Sequence, residues 1–147
     1  MHAANSFAMF YGAMAMKHLL TVVAVSAVLQ WALGALWYGV VFKKSWMKLT
    51  GFAEGEKPKN RIFGMVVSLV ACAVLSFVLA SVETWAGMTE FTGGSGIAII
   101  CWLGFMAPPL FTQHVFEGRR VNLFAINAAY WLLAMALGGG FIATFHS

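Results

Sequence analysis

The sequence predicts an all-α, polytopic integral membrane protein, with four transmembrane helices in a bundle and the third helix kinked at a double proline. Three observations predict it. Of 147 residues, 61% are hydrophobic and only 10% are charged, whereas about a quarter of a soluble domain is charged. The apolar residues gather into four uncharged stretches, each long enough to supply the ~20 helical residues that cross a hydrocarbon core. The third stretch carries Pro108 and Pro109 just before the charged turn FEGRR. Helices are required because lipid offers backbone N–H and C=O groups no partner.

Residues 1–18, MHAANSFAMFYGAMAMKH, are weakly apolar and rich in methionine. They are read as an N-terminal extension or interfacial segment ahead of one transmembrane domain over 19–147. Met16 would begin a more ordinary N-terminus. Met1, Met9, Met14 and Met16 are soft ligand types, but their spacing fits no metal motif.

The first span is placed at 19–42. Lys17 precedes it, as in a secretory signal, but the run is too long for a signal core. It ends at Lys43 and Lys44, as a retained span does. Ser26, Gln30, Gly34 and Tyr38 recur every four residues on one helical face. An amide in hydrocarbon needs a partner, and such bonds contribute roughly 0.6–2 kcal/mol. Gln30 is therefore read as a register-setting bond between helices, or as a residue lining a pore through an oligomer.

The second span is placed at 62–82. Gly64, Ser68, Cys72, Ser76 and Ala80 form a stripe of small residues, the pattern that lets helix backbones approach closely in lipid. Cys72 and Cys101 sit in apolar runs without a CxxC or Cys/His cluster, so they are read as packing residues, with no metal site and no disulfide.

The third span is placed at 94–116. Pro108 has no N–H for the carbonyl of Gly104, and Pro109 none for that of Phe105. A kink near Met106–Pro109 follows, and the freed carbonyls need partners, with Thr112, Gln113, Asn127 and Tyr130 the nearest in sequence or depth; Asn127 is read alternatively as bonding the first span. The fourth span, 121–145, returns antiparallel after Glu117 pairs with Arg119 or Arg120 across Gly118. Glu117, Arg119, Arg120, Asn127, Tyr130 and Tyr38 make a candidate polar cluster. It is read as structural, or alternatively as a site for a lipid headgroup or small anion.

Trp37, Tyr38, Trp46 and Trp85 fall at the ends of spans, where aromatic rings anchor in the interface. Trp102, Tyr130 and Trp131 lie deeper and are read as packing in the bundle. His18 and His146 fall at one end and His114 at the other, with no ligand spacing between them. No cofactor and no nucleic-acid partner is predicted.

Lysine and arginine set orientation. Lys43, Lys44, Lys48, Lys57, Lys59 and Arg61 lie between spans one and two, and Arg119 and Arg120 between spans three and four. The opposite side has Lys17 alone, with Glu83 and Glu90 assigned to the loop after span two. Loops 43–61 and 117–120 are therefore expected in the cytoplasm and both termini outside. Within these bounds no span contains Asp, Glu, Lys or Arg. Ion-coupled transport uses ionisable groups inside the membrane, so their absence counts against a coupled transporter.

The run WLGFMAPPLFTQHVFEGRRVNLFAINAAYWLLAM, with the earlier LGALWYGVVFKKSWMKLTGF over residues 33–52, resembles the bacterial membrane family catalogued as domain of unknown function 1761 (DUF1761). The resemblance implies a small four-span protein of the bacterial inner (cytoplasmic) membrane. It implies no activity. By motif it directs attention to Trp37, Tyr38, Trp46, Pro108, Pro109, Glu117, Gly118, Asn127, Tyr130 and Trp131.

The first functional expectation is a non-enzymatic membrane subunit, working as a homo-oligomer or beside another membrane protein, in contact with lipid. The second is a homo-oligomeric channel or transporter for small solutes. The third is a membrane protein that binds a lipid or cofactor.

Overall fold

The computed structural model describes residues 2–51 and 60–146. Lys57 and Lys59 lie outside them, as do Met1 and the side chains of Met9 and Met14. Among the described residues every regular element is helical. The first crossing is α1 (His2–Leu36), extended by a π-helical turn over Trp37–Val41. A short helix, α2 (Lys43–Thr50), stops at Gly51, whose φ of 81° is left-handed. Glycine adopts that conformation without a Cβ clash. The second crossing is α3 (Arg61–Ala86). The third is α4 (Phe91–Cys101), a second π-helical turn over Trp102–Met106, and α5 (Ala107–Phe116). The fourth is α6 (Val121–Phe145).

Four helical stretches are long and apolar enough to cross a membrane: Ala15–Val41, Arg61–Ala86, Phe91–Phe116 and Val121–Phe145. The protein is thus a multi-pass, all-α membrane protein. The second stretch runs past residue 82, through Glu83, Thr84, Trp85 and Ala86, before Gly87 stops it. The third begins at Phe91, so the connection between them is only Gly87–Glu90. Both overruns follow from backbone bonding: a helix in lipid continues until a residue such as Gly87, with φ 66°, ends it.

The fourth helix lies at the centre. It packs against α1, α3 and α4, and half of its most apolar window is buried, against 11% for the third crossing. Three consecutive glycines allow this. Gly138 faces Gln30 and Ser26 of α1, Gly139 faces Glu83 of α3 and Ala98 of α4, and Gly140 faces Phe91 and Ser95 of α4. A Cβ on Gly139 would lie 2.7 Å from the Ala98 Cβ and 2.8 Å from the Gly94 carbonyl oxygen. Helices in lipid gain association energy from close contact rather than from apolar burial, and missing side chains on α6 provide that contact on three sides.

The double proline bends the third crossing without breaking it. The Ala107 N–H, the last before the prolines, reaches back to the carbonyl of Trp102, five residues away. Pro108 and Pro109 then occupy the first turn of α5, where their lack of an N–H is harmless. A widened π-helical turn thus absorbs the two lost donors. None of the side chains expected to cap the freed carbonyls does so. Thr112 Oγ1 bonds the Pro108 carbonyl at 2.9 Å and Gln113 Nε2 bonds Glu117 Oε1 at 2.8 Å, while Asn127 and Tyr130 turn to the first crossing.

Candidate functional site

The inner face of α1 carries Ser26 and Gln30, both buried, and α3 brings Ser76 against them. Gln30 Nε2 donates to Ser76 Oγ at 2.8 Å and to Ser26 Oγ at 3.1 Å. Gly138 makes room for this amide, because a Cβ there would meet Gln30 Nε2 and come within 3.0 Å of its Cδ. Gln30 Oε1 is buried and has no donor.

Toward the basic end the polar line continues. The Tyr130 hydroxyl donates to the Gln30 carbonyl at 3.2 Å, and Gly34 leaves room for it, since a Cβ there would lie 2.8 Å from that oxygen. The Tyr130 and Tyr38 rings meet edge to face at 5.2 Å. Tyr38 donates to Asn127 Oδ1 at 3.2 Å, and Trp37 Nε1 donates to the Ile126 carbonyl at 3.1 Å. Trp46 of α2 closes on Tyr38 at 5.7 Å. These contacts cluster where the π-helical turn of Trp37–Val41 rotates successive side chains out of α-helical register.

Toward the opposite end lies a group the sequence reading placed in a loop. Glu83 sits inside α3, with none of its surface exposed. Its Oε1 faces Gly139, and neither carboxylate oxygen has a hydrogen-bond partner. The expectation that the spans hold no ionisable group is therefore corrected, because the helix overruns its apolar stretch and its last turns carry Glu83 into the packed interface of α3, α4 and α6. The argument against a coupled transporter that rested on that absence goes with it. At this end His18 Nε2 also donates to the Phe145 carbonyl at 2.7 Å, joining α1 to the end of α6.

The other residues singled out in the sequence are scattered. Cys72, Ser76 and Ala80 are buried, Ser68 is exposed and accepts from Trp31 Nε1 at 3.1 Å, and Gly64 faces open space. Glu117 pairs with Arg119 and accepts from Gln113, at the surface of the basic end. Arg120 is exposed and joins neither contact. Tyr38, Asn127 and Tyr130 thus come together, whereas Glu117 and Arg119 form a separate cluster. Glu83 was misplaced in a loop, and the glycine triplet was not singled out. The repeated glycine in ALGGGF was a visible signal, since three in a row cost helix propensity and call for a packing reason.

One side of the bundle is open. The second and third crossings touch little, and between them runs a groove of about 400 Å³. Leu75, Val78 and Val82 form one wall, Phe105, Pro109 and Leu110 the other, with Met135 of α6 at its base and Gln113 at the basic end. The bend at the prolines lies in the second wall.

Among the described residues no group of three or more His, Cys, Asp or Glu side chains could hold a metal ion. No curated protein and no solved structure matches the chain. A family model described as "Protein of unknown function (DUF1761)" matches residues 21–143. That match takes in all four crossings, the Gln30–Ser76 layer, Glu83 and the double proline, and the chain belongs to the DUF1761 family.

Proposed function

We propose that the protein is a non-enzymatic membrane subunit that works by association, with a helix of a second copy of the chain, or of another membrane protein, closing its open side. The groove between the second and third crossings carries this reading. Its walls are apolar from Leu75 to Leu110, and Phe105 and Val78 stand well exposed at its rim. A helix seated there would gain the dispersion contacts that drive association in lipid. Native mass spectrometry after gentle extraction from the parent membrane tests it. An oligomer or a stoichiometric protein partner is expected, and a bare monomer with Cys101 open to thiol reagents in intact membranes would refute it.

A second reading is small-solute passage through an assembly of copies. Glu83 and the buried Gln30 layer beside it favour this reading, because ionisable groups inside a membrane mark ion and substrate pathways. Flux through proteoliposomes, lost in Gln30→Leu while assembly persists, is its expected result. In either case we place the protein in a bacterial inner membrane with the basic end, α2 and residues 117–120, in the cytoplasm. The excess of Lys and Arg at that end supports the orientation. Labelling of single cysteines at Lys44 and Glu90 from each face checks it.

A further inference from the structure

We propose that Glu83 and Gln30 form a site for one exchangeable monovalent cation, a proton or an alkali ion, at the meeting of α1, α3, α4 and α6. The inference goes beyond association and stands whether or not the open side is closed.

Two independent observations point to a ligand. Glu83 is fully buried with both oxygens unpartnered, and Gln30, nearly as buried, leaves Oε1 unpartnered. The two side chains abut consecutive residues of α6, Gln30 at Gly138 and Glu83 at Gly139.

The free oxygens of Glu83 and Gln30 are acceptors, and the buried indole N–H of Trp102, one turn beyond Ala98, bonds neither of them. The Gln30 amide nitrogen is engaged by Ser76 and Ser26, and the walls beside Glu83 are Ala98 and the carbonyl oxygen of Gly94. An acceptor set with one negative charge and no bonded donor calls for one positive charge. A bare carboxylate in such a place is too costly to persist, so it takes up a proton or an ion. A single carboxylate with neutral oxygens suits a monovalent ion, since divalent ions gather more charge.

Among the described residues no charged or polar group bonds Glu83. The charged and titratable groups at this end are Lys17 and His18 of α1, Glu90 ahead of α4, and His146 after α6. His18 and His146 are spent on the carbonyls of Phe145 and Ile142. Among the described residues the one ion pair is Glu117 with Arg119, at the other end. The packed faces of α4 and α6 contribute Gly94, Ala98 and Gly139.

Infrared difference spectroscopy of the full chain in nanodiscs tests the proposal. The chain has only five acidic side chains, so a protonated carboxyl stretch is assignable by its loss in Glu83→Gln, a near-isosteric change that keeps the packing. In the wild type that band is expected to fall as pH rises, or as sodium ions are added at fixed pH. Loss with pH alone identifies the proton, and loss with sodium identifies an alkali ion competing for the same oxygens. Gln30→Met is expected to shift the band while Glu83 remains. A band unmoved across both titrations would make Glu83 a permanently neutral packing residue and overturn the proposal. So would the absence of any band lost in Glu83→Gln. If Glu83→Gln fails to fold, Glu83→Asp supplies the assignment through a shifted carboxyl stretch, and the same titrations then decide the matter.

Discussion

Gly94→Ala puts the close approach of α4 to α6 to a quantitative test. A Cβ at position 94 would lie 2.5 Å from the Ala143 Cβ and 2.5 Å from the Gly139 carbonyl oxygen. Carbon atoms in contact prefer ~3.5–4.0 Å, so the two helices must separate by about 1 Å. Neither neighbour is a flexible chain end, and the backbone oxygen cannot swing away. Overpacking of this kind costs about 1–3 kcal/mol. Gly96 supplies the control. It lies in the same helix, nothing stands within 4 Å of its Cβ direction, and alanine there keeps only the helix-propensity gain of up to about 1 kcal/mol. The difference between the two variants therefore isolates the overpacking, and corresponds to about 5- to 150-fold in the unfolding constant. Reversible unfolding in mixed micelles, followed by circular dichroism, measures both. Equal stability of Gly94→Ala and Gly96→Ala would refute the packing argument.

Three further outcomes are expected. Gln30→Leu strips the donor from Ser76 and Ser26 and should destabilise the fold by roughly 0.6–2 kcal/mol in the same unfolding assay, with no change if the amide is idle. Replacing Pro108 and Pro109 together by alanine restores two N–H donors, so the π-helical turn should relax toward α-helix. Electron-paramagnetic distance measurements between labels at Val78 and Leu110 should then report a changed groove width. Cys101 lines the groove and Cys72 is buried, so a membrane-permeant maleimide should label Cys101 first and Cys72 only after denaturation. Protection of Cys101 in native membranes, released by detergent, would mark the groove as occupied.

Much of this architecture was legible because lipid simplifies the code. Long uncharged runs had to be helices, and Pro108 and Pro109 had to disturb one of them. The four-residue spacing of Ser26, Gln30, Gly34 and Tyr38 put a polar line along the first crossing, and the structure has Ser26 and Gln30 on its buried face, with Tyr38 beyond them in the π-helical turn. The ends of helices were harder. Hydropathy falls at Glu83, but the helix is governed by backbone bonding and runs on to Gly87, so the boundary drawn from side chains put a buried carboxylate in a loop. The form of the bend was also hidden, since lost N–H donors dictate a defect but not whether side chains or a widened turn absorb it. Interhelical pairs such as Trp37 with the Ile126 carbonyl depend on which faces meet, which no single span records.

The central place of α6 has a consequence in time. It is the last of the four crossings to leave the ribosome, yet it supplies the wall behind Gln30 and Glu83 and the contact surface for α4. When the first three crossings are already in the bilayer, α1 and α3 can pair through Gln30 and Ser76, but Glu83 has no cover and α4 has no close neighbour. The intermediate is therefore a half-built protein with an ionisable group facing lipid or translocation machinery. Its maturation waits on a single insertion event, and a stall or cut before residue 121 leaves a membrane species that quality control can recognise by that uncovered polar group.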